Sequence, residues 1–473
     1  MERTPVLAGV GAEVRRDDEL PGLDHLGLME AAARQAFDDA GIDPKRTAAV
    51  LVPRGLWRDR DPGRVLADRL GALDARTTMA ELGVPQLSIV RRACQLIADG
   101  SADVVLVVGG EAKHRQGVAR RAGVEQPGCE EAATDPDETM RPDADLMARP
   151  EVERRLNSAP PQYAVIESAI RAAAGRTPAD HQAHLGRLWA DFARIAAGNP
   201  DAWDRSAPSA EQIANPGPGN RVVAWPYTKL LCSQWNVDQA AAMVFTDGGD
   251  GVHPLGIAES NWILSMSLRR DLHRWPAFAL AAERLLDITG VGVGDIGPID
   301  LYSCFPAAVQ TAALELGVPI DRDLTVTGGM TFGGGPLNNY VFQAIVAMAR
   351  RLRDEPGAIG LTTAVSGLLT KPALALWSTE PGERPFAHAD VTADAERATA
   401  QLPLDGDATG DGTIAGYTVL YDGEAPSAAV AVITIGDTRT VAICEDAGTV
   451  AAMVDTEHVG ALARVSAPGS FAA

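Results

Sequence analysis

Apolar positions along the chain fall into two alternating rhythms. In residues 32–52, AARQAFDDAGIDPKRTAAVLV, they recur three and four apart up to a glycine, then run together after a short polar loop. That pattern predicts an amphipathic helix, a glycine stop and a buried strand. Residues 281–301, AAERLLDITGVGVGDIGPIDL, repeat it: Ala32 aligns with Ala281, Asp38 with Asp287, Gly41 with Gly290 and Val50 with Ile299. A second pair follows. LIADGSADVVLVVGG at 96–110 and LRDEPGAIGLTTAVSG at 352–367 each give a helix end, a turn, a strand and a small-residue turn. Two α/β halves built on one plan are expected, with layered sheets.

The rhythm breaks twice. Residues 111–230 are rich in Arg, Pro and acidic side chains; within them TPADHQAHLGRLWADFARIAAGNP, 177–200, reads as one amphipathic helix. An inserted, mostly helical region over the sheet is expected, placed to touch substrate. After Trp377 the texture turns rich in Pro, Asp, Gly and Ala, so 381–412 reads as a linker. Then TIAGYTVLYDG, APSAAVAVITIGD, RTVAICED, TVAAMVDTE and GALARVS read as five short strands of a small OB-like β-barrel. The expected division is 1–250 for the first half with its insertion, 251–380 for the second half and 413–473 for the barrel.

Composition narrows the function. The chain has 473 residues, and 42 basic against 63 acidic side chains leave a net charge of −21. Such a surface repels nucleic acid and anionic membrane. No apolar run approaches the roughly 18 residues of a bilayer span, and the N-terminus has no secretory pattern. Five scattered cysteines without a CxxC pair point to a reduced, cytoplasmic setting. Only four lysines among many arginines, with abundant Ala, suggest a GC-rich bacterial source.

Several motifs are weighed on their chemistry. Gly292-Val-Gly294-Asp-Ile-Gly297 matches GxGxxG, but a helix precedes it and a strand follows, the reverse of a dinucleotide site. TVTGGMTFGGGPLNNY, 325–340, crowds Gly328, Gly329, Gly333, Gly334 and Gly335 together without the Lys-Ser/Thr of a phosphate loop. His181 and His184 have no recognisable third ligand and read as solvated helix histidines, so no metal is expected. Cys94, Cys232 and Cys444 read as core residues, and Cys129 lies in an acidic loop that disfavours a thiolate. Cys304, in IDLYSCFPAAVQTAALELG, falls between a strand and a helix starting near Pro306, where the helix dipole would favour its thiolate; a plain buried residue at a strand end is the alternative.

Together the two halves, the insertion, the YSCF stretch and the late GG…GP loop resemble the thiolase superfamily, and more closely its thiolase-like type 1 branch with an additional C-terminal domain. The resemblance implies a layered αβαβα fold with an inserted loop domain. It also implies acyl-CoA or coenzyme A as ligand, with no further cofactor.

Each of the family's four motifs is altered. Counting back from Ile97 by the family's spacing places Gly83 where the nucleophilic Cys belongs. Tyr302-Ser303-Cys304-Phe305 stands for NEAF or HDCF, with Tyr302 in place of Asn or His and Cys304 matching the HDCF cysteine. Gly334-Gly335-Pro336 stands for GHP without its His, and Val365-Ser366-Gly367 stands for CxG without its Cys.

An acyl-cysteine mechanism with its usual acid–base partners cannot run on this set. Three readings remain. The first is an acyltransferase or C–C lyase acting on acyl-CoA with a rebuilt site of Cys304, Tyr302, Tyr340, Asn338 and Ser366, with Gly334, Gly335 and Asn339 toward the ligand and Lys371 available. The second is an acyl-CoA-binding or scaffold protein. The third is a subunit working with a protein partner in lipid or steroid degradation.

Overall fold

The computed structural model describes residues 3–20, 22–124, 132, 134–142, 144, 146–467 and 469–473. Cys129 lies outside the described residues.

Each sequence repeat folds as its pattern predicts. The helix His25–Ala40 ends at Gly41, the strand Ala49–Pro53 follows, and the counterpart helix Pro276–Thr289 ends at Gly290 before the strand Ile296–Asp300. Both glycines adopt left-handed backbone, at φ 65° and 76°, where a side chain would be strained. The second repeat gives the helix Gln86–Ala98 with the strand Val104–Ala112, and the helix Tyr340–Asp354 with the strand Ile359–Ser366.

Two sheets result. The first runs in the order Pro5–Val14, Asp238–Asp247, Val104–Ala112, Ala49–Pro53, Arg76–Ala80, Glu138–Met140. The second runs Ile296–Asp300, Ile359–Ser366, Lys371–Ser378, His253–Glu259, Ala387–Asp390. Helices Gln86–Ala98 and Tyr340–Asp354 lie between the sheets and touch both. His25–Ala40 and Pro62–Leu70 cover the outer face of the first sheet, and Pro276–Thr289 packs on the second.

This layering explains the unbroken apolar strands. Val105 and Val107 join the core around the central helices, while Val104, Leu106 and Val108 join the outer core. A strand buried on both faces needs apolar residues at every position.

The inserted region supplies the helices Ala159–Ala173 and Pro178–Gly198. Residues 381–412 are more than a linker: Ala387–Asp390 extends the second sheet parallel to His253–Glu259, and Thr392–Ala398 is a helix.

The C-terminal strands Gly410–Asp422, Ala425–Ile435, Thr438–Cys444, Leu462–Ser466 and Ser470–Ala472 pair in a closed circuit. TVAAMVDTE, expected as a strand, forms the helix Ala447–Asp455 instead. Asp446 accepts from the Thr449 N–H and caps it, and Val450 and Met453, three apart, are its buried face.

This module is docked, not tethered. Arg171 of the inserted region pairs with Glu457 at 2.7 Å and donates to the Tyr417 hydroxyl at 2.8 Å, and the Trp225 N–H donates to the Val419 carbonyl at 2.9 Å.

Candidate active site

The loop after Ile296–Asp300 delivers Tyr302, Ser303, Cys304 and Phe305 to the start of the helix Pro306–Leu316. The Tyr302 N–H donates to the Thr363 hydroxyl at 2.8 Å, which ties the loop to the neighbouring strand. Tyr302 and Cys304 are each 8% exposed. The helix begins where the sequence placed it, yet the thiol is not activated. Burial pushes Cys304 up to about 12, against hydrogen bonds from Tyr163 and backbone N–H groups. The dipole stabilises a charge by about 1 kcal/mol, and desolvation of a buried thiolate outweighs it.

The glycine-rich stretch has a packing explanation. Gly328 and Gly329 take φ 93° and 73°. A Cβ at Gly328 would fall 2.3 Å from the Ala196 Cβ, and one at Gly329 would fall 2.5 Å from the Phe192 ring. These glycines let the loop touch the inserted helix Pro178–Gly198. Gly334, at φ 101°, lies against Gln239, where a Cβ would meet Oε1 at 2.0 Å. At Gly335, the histidine position, a Cβ would sit 3.2 to 3.4 Å from Met330 and the Gln234 carbonyl. A histidine therefore needs these neighbours to move.

The residues after the glycines are held in the framework. Asn338 donates to the Arg54 carbonyl at 3.1 Å. Asn339 is 2% exposed with neither amide atom bonded among the described residues; its Oδ1 fills the space left by Gly109, whose Cβ would lie 2.5 Å away. Tyr340 is fully buried, and its hydroxyl lies 2.8 Å from both Asp300 Oδ1 and Thr327 Oγ1.

Lys371 joins the positions that the resemblance assigns to the first and fourth motifs. Gly83 sits at φ 102° under Pro142, and the buried Lys371 ammonium donates to its carbonyl. Ser366 pairs with Lys371 across adjacent strands, and Val365 pairs with Pro372. In the turn between, Gly367, Leu368 and Leu369 all take positive φ, at 72°, 54° and 59°. Two successive leucines in that region mark a strained turn.

Two residues that sequence reasoning missed complete the cluster. Tyr163, from the inserted helix Ala159–Ala173, stacks on Phe305 at 4.6 Å, and its phenol is raised by burial and by its contact with Cys304. Arg269 is 3% exposed, donates to the Leu368 carbonyl, and its charge acts on Tyr163. Neither sits in a motif, so only the fold brings them here. The structure thus gathers Tyr302, Cys304, Tyr163 and Arg269, while Asn338, Asn339 and Tyr340 line the loop behind them.

The histidines are a correction: His181 is fully buried 2.7 Å from Glu167, and His184 is pushed down to about 4, chiefly by burial. Glu167 also accepts from Tyr227 and Gln310, each at 2.7 Å. His181 thus braces the inserted region instead of meeting solvent, while His184 is half-buried.

Comparison with known proteins follows this geometry. Residues 393–470 match the family model described as the thiolase-like protein type 1 additional C-terminal domain. No curated protein sequence matches the chain. A monomeric SCP2-thiolase-like protein type 1 from Mycobacterium smegmatis superposes with TM-score 0.82 at 27% identity, covering 100% of this chain and 98% of that one. Acetyl-CoA acetyltransferase from Syntrophomonas wolfei gives 0.59 at 17% identity, covering 80% of this chain and 100% of that one. An Ltp2-ChsH2(DUF35) aldolase gives 0.61 at 21% identity, covering 80% and 98%. The chain therefore has the thiolase fold, and its residues 393–470 match the additional C-terminal domain of thiolase-like protein type 1.

Proposed function

We propose that the chain binds an acyl-CoA thioester at the site framed by Gly83, Tyr302, Cys304, Gly335 and Val365, and that it does so without forming an acyl-cysteine. One observation carries this reading: the groups around Cys304 are hydrogen-bond donors held neutral by burial. The thiol is pushed up to about 12, and the Tyr163 and Tyr302 phenols are raised further, first by burial and then by Cys304. Such a set suits a carbonyl oxygen. It does not suit nucleophilic attack, which needs a thiolate, or proton abstraction, which needs an ionised base. Tyr340 serves the framework in this reading, through Asp300 and Thr327. The five-strand circuit with a helix between its third and fourth strands supports an OB-like reading of the C-terminal module.

A second reading is favoured by one likeness. The Ltp2-ChsH2(DUF35) aldolase is named for two components. A donor-rich site without a base would become a C–C lyase if a partner chain supplied the proton acceptor. Within the first of the three readings, this favours the lyase over the acyltransferase.

Titration calorimetry with butyryl-CoA tests the main reading. It predicts saturable one-to-one binding by the protein alone. Absence of any binding up to about 1 mM, the weak end of specific affinities, would contradict it.

A further inference from the structure

We infer that Arg269 selects an acyl thioester bearing a carboxylate on its acyl chain, and that Arg439 of the C-terminal module positions it. The inference rests on the acyl-CoA reading above and goes further by naming the substrate class.

Arg269 follows the short turn Met266–Leu268, and its side chain is 3% exposed. One guanidinium nitrogen, Nη2, donates to the Leu368 carbonyl. The other two, Nε and Nη1, meet no acceptor among the described residues. A buried guanidinium with unmatched N–H groups is costly, and native interiors rarely leave one without cause. Burial brings Arg269 down only to about 10, so it stays charged at neutral pH.

Its surroundings give that charge no closing partner. Glu151 is the carboxylate whose charge reaches Arg269, and it is fully buried. Both its oxygens are occupied by backbone, accepting from the Ser267 N–H at 2.8 Å and the Ala148 N–H at 2.9 Å. On the other side stand Tyr163 and, through it, Cys304. Its bond to the Leu368 carbonyl sets Arg269 beside the turn that follows Val365, Ser366 and Gly367, and its free edge is assigned to the thioester site. The carbonyl that anchors it lies in the strained turn at Leu368 and Leu369, a feature that structures hold at functional sites.

The occupant follows from charge and shape. A single guanidinium matches one negative charge spread over two coplanar oxygens, which is a carboxylate. Arg439 is a second buried guanidinium with Nε and Nη1 unmatched among the described residues, but its bonded nitrogen is turned to the Arg269 and Arg270 backbone.

The C-terminal module enters through Arg439, on the strand Thr438–Cys444, itself 3% exposed. Its Nη2 donates to the backbone carbonyls of Arg269 and Arg270 at 3.3 and 2.6 Å. Its own N–H bonds to the Pro403 carbonyl at 2.8 Å. The appended domain thus holds the backbone that carries Arg269.

The experiment is equilibrium titration with succinyl-CoA and butyryl-CoA, which share a chain of similar length and differ in the terminal carboxylate. Wild-type protein should bind succinyl-CoA at least about tenfold more tightly, as expected for one charge-assisted pair. Arg269→Gln should bring the ratio near one. Arg269→Lys should restore part of it, because the charge returns without the planar fork. Arg439→Gln should give an intermediate ratio. Equal wild-type affinity for the two thioesters overturns the inference and leaves the acyl-CoA reading standing. A preference that survives in Arg269→Gln also overturns it. Failure to bind either thioester sinks both.

Discussion

At the scale of single residues, the proposed site holds bulk and donors where the resemblance would place a nucleophile and a base. The resemblance assigns Gly83, Gly335 and Val365 to positions where reactive side chains would stand, and Pro142 and Met330 are the nearest side chains to a Cβ built at the two glycines. The motif spacings made those three positions legible in the sequence, because glycines and a valine stand where chemistry is due. Tyr163 and Arg269 were not legible: one comes from the inserted helix and the other from a short turn, and neither spacing nor periodicity links them to Cys304.

Tyr340 shows the converse, a residue whose polarity looked chemical and whose hydroxyl serves the core. Tyr340→Phe deprives the buried Asp300 carboxyl of one donor and should cost about 1–3 kcal/mol of stability, read by denaturant unfolding. A loss confined to ligand binding, with stability unmoved, would instead make Tyr340 a group of the site.

At the scale of elements, the helices and buried strands were readable because each half repeats one hydrophobic pattern, and the left-handed glycines at 41 and 290 close the helices where the pattern stops. Two elements escaped for physical reasons. TVAAMVDTE is short and apolar enough to suit either rhythm, and the Asp446 cap decides for helix. Ala387–Asp390 is strand only because the edge of the second sheet is open to it.

The glycine-rich loop is the element whose meaning changed most, from a suspected ligand cradle to a docking surface for Pro178–Gly198. Gly328→Ala would combine left-handed strain with a backbone clash at Ala196, and should destabilise the protein by ~3 kcal/mol or more. Thermal unfolding checks this: a melting temperature equal to wild type would show that the helix and loop part without cost.

At the scale of the whole molecule, the inserted region meets the C-terminal module at Arg171, Glu457 and Tyr417, and buried carboxylates contribute to the dependence of stability on pH. In the first half, Glu111 is 2% exposed, accepts from the Leu56 N–H at 2.7 Å, and is raised by burial to about 7. An acid whose folded pKa lies above its unfolded value holds more protons when folded. Its contribution is therefore fullest below the ordinary carboxylate range, is lost as pH rises to about 7, and is level above that, with at most about 3 kcal/mol involved. Glu111→Gln should flatten that part of the stability–pH curve. An unchanged slope in the variant would assign the effect to other groups.

The central claim is that this thiolase fold handles acyl-CoA without covalent capture. The most direct test is the intact mass of the protein after incubation with acyl-CoAs from short-chain to steroid-like, with Cys304→Ala alongside. The account predicts no acyl adduct on either protein. An adduct on the wild type that is absent from Cys304→Ala would contradict it and make Cys304 a working nucleophile.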